Sequence, residues 1–554
     1  LEDLQLTVER LSDVWSGGTV ERDLSELSSL TDLDVPLKKR VQTAEARLLT
    51  ALESARAFGK STIGLGPVTS SEDTEAVREM VRLLDNLAQT YHAMAEQLMV
   101  GRSKLTRQLS KHLAWCLYRE LGCLYELTFL ASAAFVSWQP GLWQRIHYVF
   151  SVATENGVHK STETGPLADH FEAENLVDIY LALVMAGLAD PYQLPFRDVY
   201  RVEKFLRKHR SEIELRKSVP SDKEKLTLFS LDHQVDMPGL PFWSVTDPES
   251  IDRSIVLNTT KLVQLVRKRR HDLSRHPGRA DKDFGEDSVG ELKLLFKQLG
   301  ARWSGRMDRR HERMKSTKSV DVLVSFEAIV KALGSGAAEN DIETLFNQVE
   351  SAYTGTTTSQ SFSPSPADTI AASSLDKSTS GLRVRVQKSA KLTARIGDIV
   401  AWNDTDAADK PWRLGTIRWI RETVPGELDL GLMRVPGAPV LGTISMRFAK
   451  RDTAFASDMP CVLAIAHGQS GVRVNAIVPR MHDTDTVPAG VAVGGQSLML
   501  NETKKILSTR LIQGFKLVVA AEHHAVLAES LEDKSAPVKV NRARRGQIWS
   551  ASES

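Results

Sequence analysis

Asp376-Lys377-Ser378-Thr379-Ser380-Gly381-Leu382-Arg383-Val384-Arg385-Val386 is the stretch on which the reading of the fold turns. Its first six residues set a carboxylate, a hydroxyl and a glycine at fixed offsets in a polar turn. Residues 382–386 then alternate apolar and charged, the period of a strand with one buried and one solvent-facing side. The turn therefore leads straight into a β-strand. Towards the C-terminus, short alternating segments recur at 398–402, 413–419, 427–433 and 442–448, with turn residues between them. Such spacing predicts a small antiparallel barrel over 301–450. Segments at 461–466, 472–478, 490–500 and 515–521 continue the pattern and predict a second small β unit over 451–530. The polar tail at 531–554, with Arg542, Arg544 and Arg545, is expected to be disordered.

Towards the N-terminus, residues 354–374 are rich in Ser, Thr and Pro and read as a flexible loop. Together with helical segments at 326–333 and 341–353 they form an expected insertion, 326–374, inside the barrel. A strand is predicted at 320–325. Just before it stands Arg309-Arg310-His311-Glu312-Arg313, a tight cluster of guanidiniums. Residues 219–300 are mixed and read as a connector, with short strands at 226–230 and 254–257 and a helix at 291–303. The basic run Arg267-Lys268-Arg269-Arg270-His271 has no interleaved aromatics and reads as a solvated helix end.

Residues 1–218 read as helix after helix. Val77, Met80, Val81, Leu84, Leu87, Tyr91, Met94 and Leu98 keep helical spacing over many turns. Further helices are expected at 36–58, 104–138, 141–155, 172–188 and 196–208, joined by short Pro/Gly links that favour antiparallel packing. Aromatic residues crowd 115–150 and are read as core, with a partner-binding groove as the alternative. His112, His147 and Lys111 lack ligand spacing and are read as structural or surface residues. The fold class is thus α+β: an all-helical domain, an antiparallel barrel and a second small β unit.

Bulk composition excludes several classes. A chain of 554 residues suggests roughly two to four domains. Lys+Arg 71 against Asp+Glu 70 gives no global field to attract DNA or a membrane surface. The most apolar runs, 127–136 and 179–188, fall short of the ~20 residues that span a bilayer. The first ten residues are polar and acidic, unlike a signal peptide. Cys116, Cys123 and Cys461 cannot all pair and show no zinc-site spacing, so a reducing, cytoplasmic setting is expected.

The two motifs are chemically complementary to a guanine-containing cyclic dinucleotide. Arginine's planar fork grips phosphate oxygens or the guanine O6/N7 edge and stacks on the base face. A carboxylate accepts from the N1–H and N2–H₂ edge, a serine hydroxyl adds a bond, and a glycine admits close backbone approach. Arg309, Arg310 and Arg313, with Asp376, Ser378 and Gly381, supply that set.

Arg-Arg-x-x-Arg before a strand, then Asp-x-Ser-x-x-Gly before another, resembles the PilZ domain, a family of small β-barrel receptors for cyclic di-GMP. Later segments resemble it too: Ile396-Gly-Asp-Ile-Val-Ala-Trp, Trp412-Arg-Leu-Gly-Thr-Ile-Arg-Trp and Leu428-Asp-Leu-Gly-Leu. The helical first half with a PilZ-like second half also resembles large cytoplasmic proteins of proteobacteria. The resemblance implies that Arg309, Arg310 and Arg313 contact phosphates and the guanine acceptor edge. It implies that Asp376 and Ser378 hold a guanine and that Gly381 shapes the turn. Typical members keep the two motifs about one strand apart, whereas here 320–374 intervenes. Either the insertion loops out, or the arginines lie away from the turn.

Catalytic signatures are missing: Gly-x-Ser-x-Gly, His-Glu-x-x-His and Walker-type loops do not occur. His523-His524 reads as a surface pair. The expected protein is a cytoplasmic, non-enzymatic receptor without a cofactor, whose ligand is cyclic di-GMP. Its helical domain is expected to address a protein partner, and oligomerisation is left open. The alternative is a scaffold or RNA-binding adaptor with a degenerate barrel that binds no nucleotide.

Overall fold

The structure, a computed structural model, describes residues 37–63, 71–100, 105–216, 227–276, 283–284, 289–305, 313–324, 328–329, 332–333, 369–389, 392, 394–404, 412–448, 455–468, 471–479, 486–493, 496–499, 515–519 and 524–530. It divides into two units, Leu1–Asp308 and Arg309–Ser554.

The first unit is built on helices α1 (Leu37–Ile63), α2 (Ser71–Met99), α3 (Arg107–Ala133), α4 (Leu142–Glu155), α5 (Pro166–Phe171), α6 (Leu176–Leu188) and α7 (Phe196–His209). Helix α3 carries apolar residues on every side from Leu113 onward, and all of that stretch but Trp115 is buried, as such a helix must be. Its start is capped by Thr106, whose hydroxyl accepts from the Leu109 N–H. Helices α2, α4, α6 and α7 pack around it. The charges that interrupt its apolar run are all paired. Arg119 meets Glu45 at 2.7 Å and Glu163 at 3.1 Å, Glu120 meets Arg145 and His92 at 3.1 Å, and Glu126 meets Arg56 and His170. Burial without such partners would be costly. Tyr118, Tyr125, Trp143 and Phe150 are buried, as the core reading of the aromatic cluster requires, while Tyr148 is exposed.

The expected connector 219–300 does not stand apart. Strands β1 (Glu214–Arg216), β2 (Leu228–Leu231), β3 (Leu240–Pro241) and β4 (Ile255–Asn258) form an antiparallel sheet in the order β1-β4-β2-β3. Helices α8 (Pro248–Arg253), α9 (Thr260–Arg275) and α10 (Val289–Arg302) complete the unit. Asp236 accepts from the backbone N–H of Gly141 and Trp143 at the start of α4, at 2.7 and 2.9 Å. Trp303, fully buried, donates from Nε1 to the Met185 carbonyl at 2.9 Å, and its own carbonyl accepts from the Thr259 hydroxyl at 2.6 Å. These bonds tie the mixed segment to the helices. The boundary expected near 218 therefore disappears, because β1 is too short to be read before its partner is known.

The second unit opens with β5 (Met314–Lys315), β6 (Ser319–Leu323), β7 (Ile370–Ser378), β8 (Gly381–Gln387), β9 (Ile399–Asp404), β10 (Arg413–Val424) and β11 (Glu427–Arg434). Strands β7-β6-β9-β10-β11-β8 pair antiparallel and close where β8 returns to β7. Closure removes the open edges. Inward rows are apolar: Leu382, Leu432 and Ile417 form one cross-strand row over β8, β11 and β10, and Val384, Leu430 and Ile420 the next, all buried.

Two expectations are corrected here. Residues 370–374 belong to β7 rather than to a loop, since their Ser and Ala side chains serve a strand paired with β6. Residues 442–448 leave the barrel: β12 (Ala438–Phe448) starts a second antiparallel sheet with β13 (Phe455–Gly468), β14 (Gly471–Pro479), β15 (Thr486–Val493), β16 (Gln496–Met499), β17 (Phe515–Val519) and β18 (His524–Ser530). Its order is β16-β15-β12-β13-β14-β18-β17. The barrel thus ends near 434 instead of 450.

Of the insertion, residues 328–329 and 332–333 are helical. Ile329, Ala332 and Leu333 are buried against Leu323, Ile399, Ala401, Trp412 and Leu414. The expected helix at 341–353 and the tail 531–554 lie outside the described residues. The two ends of the insertion are neighbours, because Val322 pairs with Ile370. It is a long connection between adjacent strands.

Candidate functional site

Strands β5 and β6 behave as one interrupted strand along β7. Met314 pairs with Lys377 and Lys315 with Asp376, while 319–322 pair with 370–373. Opposite the break, Leu375 is an extra residue in β7: Ser374 faces Val384, but Asp376 faces Arg383. A bulge of this kind reverses the alternation beyond it. Ser374 is buried, and Asp376 is thereby turned to the outer face of the barrel.

The same register brings Arg313 opposite Ser378. Arg313 Nη1 donates to both carboxylate oxygens of Asp376, at 3.0 and 3.2 Å. Two of the motif residues that the insertion separates in sequence are therefore in contact. Ser378, two residues along β7 from Asp376, shares its face, and its hydroxyl lies 3.4 Å from the Ser380 hydroxyl and from the Gly381 carbonyl. The expected turn is narrower than the motif. Asp376–Ser378 is strand, and only Thr379 and Ser380 form the loop that Ser378 and Gly381 close. Arg309 and Arg310 lie outside the described residues.

Gly381 is needed for a different reason than turn conformation. Its φ is not positive, but a Cβ there would stand 2.3 Å from the Leu432 carbonyl oxygen of β11. Gly381→Ala is expected to lower barrel stability by about 1–3 kcal/mol, the scale of overpacking against a backbone that cannot move freely. Chemical denaturation followed on the barrel transition measures this.

Sequence reasoning did not single out the rest of this face. In β10 the extra residue Arg418 sits between Ile417, which faces Leu432, and Trp419, which faces Gly431. This second bulge turns Trp419 outward. Asp376, Arg383, Gly431 and Trp419 then form one cross-strand row over β7, β8, β11 and β10. Trp419 covers Gly431, where a Cβ would meet its indole Nε1 at 1.9 Å. The Arg383 guanidinium lies 5.7 Å from the Trp419 ring centroid.

The neighbouring row centres on Asp429, which is fully buried. Arg383 Nη2 donates to Oδ2 at 2.7 Å, Arg385 Nε to Oδ1 at 2.7 Å, and the Thr423 hydroxyl to Oδ2 at 3.0 Å. Burial pushes this carboxyl up, but the bonds from Arg385, Arg383 and Thr423 outweigh it and hold it below the usual carboxylate range. Arg383 also stands 3.9 Å from Asp376. A chain of alternating charge thus runs Arg313–Asp376–Arg383–Asp429–Arg385. A signal for it was present: Asp429 and Gly431 interrupt an otherwise apolar strand at outward positions.

Other candidates do not gather into a site. His147 is buried between the Tyr180 hydroxyl at 2.7 Å and the Met237 carbonyl at 2.8 Å, and burial pushes its pKa down to about 4, so it is neutral and structural. Of the basic run on α9, Arg269 is engaged by Asp283 at 2.7 Å. Burial pushes the Cys116 thiol up to about 12 and raises that of Cys123 further. His523 lies outside the described residues. Among the described residues no group of three or more His, Cys, Asp or Glu could hold a metal ion, and no helix is long and apolar enough to cross a membrane.

Comparison with known proteins adds one finding. Residues 3–221 match the family model described as "Cyclic-di-GMP receptor FimW, N-terminal domain". The match covers under half of the chain, takes in α1–α7 and stops short of the barrel. A search of the curated proteins finds no match.

Proposed function

We propose that this chain is a receptor for cyclic di-GMP, with its ligand site on the outer face of the barrel at Arg313, Asp376, Ser378 and Gly381. The observation that carries the reading is the contact between Arg313 and Asp376, made by pairing β5 with β7 across the long insertion. The site joins a bidentate cation, suited to phosphate or the O6/N7 edge, to a carboxylate suited to the guanine donor edge. A guanine nucleotide satisfies both at once. The closed six-stranded antiparallel barrel agrees with the PilZ resemblance, and the match of the helical part to a receptor's N-terminal domain agrees with the ligand. Arg309 and Arg310 add to the grip on phosphate. The protein works in the cytoplasm without catalysis, and its helical unit passes the ligand state to a protein partner.

Because Arg313 and Asp376 neutralise each other, the ligand enters by exchanging partners. Arg313 moves to a phosphate and Asp376 to N1–H and N2–H₂. Isothermal titration of the full chain with cyclic di-GMP, with GTP and GMP as controls, tests the reading. Arg313→Ala and Asp376→Ala are each expected to weaken binding by ~1–3 kcal/mol, the scale of a lost bidentate base contact. Absence of heat at high micromolar ligand, or unchanged affinity in both variants, refutes it.

A further inference from the structure

The cations of α9 are not confined to its C-terminal end. Lys261 stands in the first turn, where the helix dipole disfavours a positive charge. Lys261, Lys268 and Arg275 are exposed, and their spacing of about two turns puts them on one side of the helix. Arg269, next to Lys268, turns that side towards the end of α7. It shares the carboxylate of Asp283 with His209 and Lys208, at 2.7 Å from Arg269 and 3.0 Å from His209. Lys204 precedes Lys208 by one turn on α7, and both are exposed. Two helices thus carry one continuous basic surface, with Asp283 at the seam.

Little on these helices offsets it. The carboxylates of α7 are buried and committed: Asp198 pairs with Arg201, and Glu203 with Arg207 and Arg56. Helix α9 carries one carboxylate, Asp272. Among the described residues no carboxylate pairs with Lys204, Lys268 or Arg275. Like charges one turn apart repel, so an anion laid along the surface stabilises it. Asp283 shows the mode in miniature, since one carboxylate gathers cations from both helices.

The chain itself supplies such an anion. Residues 1–34, outside the described residues, carry nine carboxylates against two arginines, in a chain whose net charge is +1. They lead into α1, and Arg56 of α1 pairs with Glu203 of α7 at 3.3 Å. From Leu37 to Arg56 is roughly 28 Å of helix. The 34 residues span up to about 110 Å when extended, so the segment is long enough to reach the surface.

We propose that the acidic segment 1–34 seats on the basic surface of α7 and α9 and shields it from other polyanions. The seat is electrostatic, so the segment is exchangeable, and its release uncovers the surface. Nothing in this seating depends on cyclic di-GMP.

The test titrates a fluorescein-labelled peptide of residues 1–34, by anisotropy, into the full chain and into a chain lacking those residues. Thermal melts confirm folding. The shortened chain should bind the peptide, and about threefold or more weakly as salt rises from about 50 to ~200 mM, because screening shortens the reach of each charge. The full chain should bind it about tenfold more weakly than the shortened one, since the tethered segment competes at millimolar effective concentration. In the shortened chain Lys268→Glu with Arg275→Glu should weaken the peptide about fivefold or more, as attraction turns to repulsion at two positions. The same reversal at exposed Arg107 and Lys111 near the start of α3 should leave affinity within about twofold. Should the shortened chain fail to fold, the full-length chain with Glu21→Gln, Asp23→Asn, Glu26→Gln, Asp32→Asn and Asp34→Asn takes its place. No binding at low salt, binding indifferent to salt, equal weakening by both reversals, or a full chain that takes the peptide as tightly as the shortened one each overturns the seat.

Discussion

Asp429→Ala is expected to destabilise the barrel by about 3–5 kcal/mol, the range for removing one partner of a buried charge cluster. The carboxylate is fully buried and takes hydrogen bonds from Arg383, Arg385 and Thr423. Its removal leaves two guanidiniums repelling each other on adjacent outward positions of β8, with their donors turned to a vacated, poorly hydrated spot. Calorimetry should show the barrel transition shifted down, with the helical unit's transition in place. The same group sets an acid limit. Its folded pKa is depressed, so its contribution is fully present above the unfolded aspartate value near ~3.9. The contribution is lost as pH falls through the lower folded value. Asp429→Asn should flatten the barrel's stability against pH below about 4. An acid limb as steep as the wild type's would move the effect to another carboxylate.

Trp303→Ala should cost the helical unit about 3–5 kcal/mol, the usual range for deleting a large buried aromatic. Trp303 is fully buried, stacks beside Phe205 of α7, and bonds the Met185 carbonyl at the end of α6. Its backbone carbonyl also anchors Thr259 at the start of α9. The side chain thus holds α6 and α7, and the backbone of the same residue holds the start of α9. Trp303→Phe fills most of the space and removes the indole donor, but the Ala189 N–H still donates to the Met185 carbonyl, so it should cost only about 0.5–1.5 kcal/mol for the lost bond. Urea unfolding of the full chain, followed by helical circular dichroism, measures both. Equal midpoints for wild type and Trp303→Ala would mean that the sheet and helices do not depend on this contact.

Much of this architecture was legible because periodicity is a local property. The helices expected at 36–58, 141–155 and 196–208 appear as α1, α4 and α7, since apolar residues at helical spacing need no distant partner to be recognised. The barrel strands after Gly381 were legible for the same reason, at period two. Strand β7 was not. Residues 370–374 read as the end of a low-complexity stretch and 376–378 as a turn, and together they are a strand only because β6 and β8 flank them. Strand β5 has two residues and exists only as a partner for Lys377 and Asp376.

The candidate site shows the same division. Arg313, Asp376, Ser378 and Gly381 could be picked from the chain by residue type and offset. Their contact could not, because it depends on which strands pair across the insertion. Arg383, Asp429 and Trp419 were hidden more deeply. Which face each occupies depends on register, and two single-residue bulges set that register locally. Alternation counted along the sequence would place Asp376 inward and Trp419 on the wrong side.

The long connection between β6 and β7 makes the barrel a natural host for foreign cargo. The chain leaves at Leu323 and returns at Ile370 beside the strand it left, so the distance to be bridged does not depend on what lies between. Each doubling of such an excursion adds only about 0.6 kcal/mol of closure entropy. Evolution could lengthen, trim or replace this cassette without moving Arg313 from Asp376. A fluorescent domain grafted into it would ride on the barrel's rim, anchored by the buried Ile329 and Leu333, as an optical reporter.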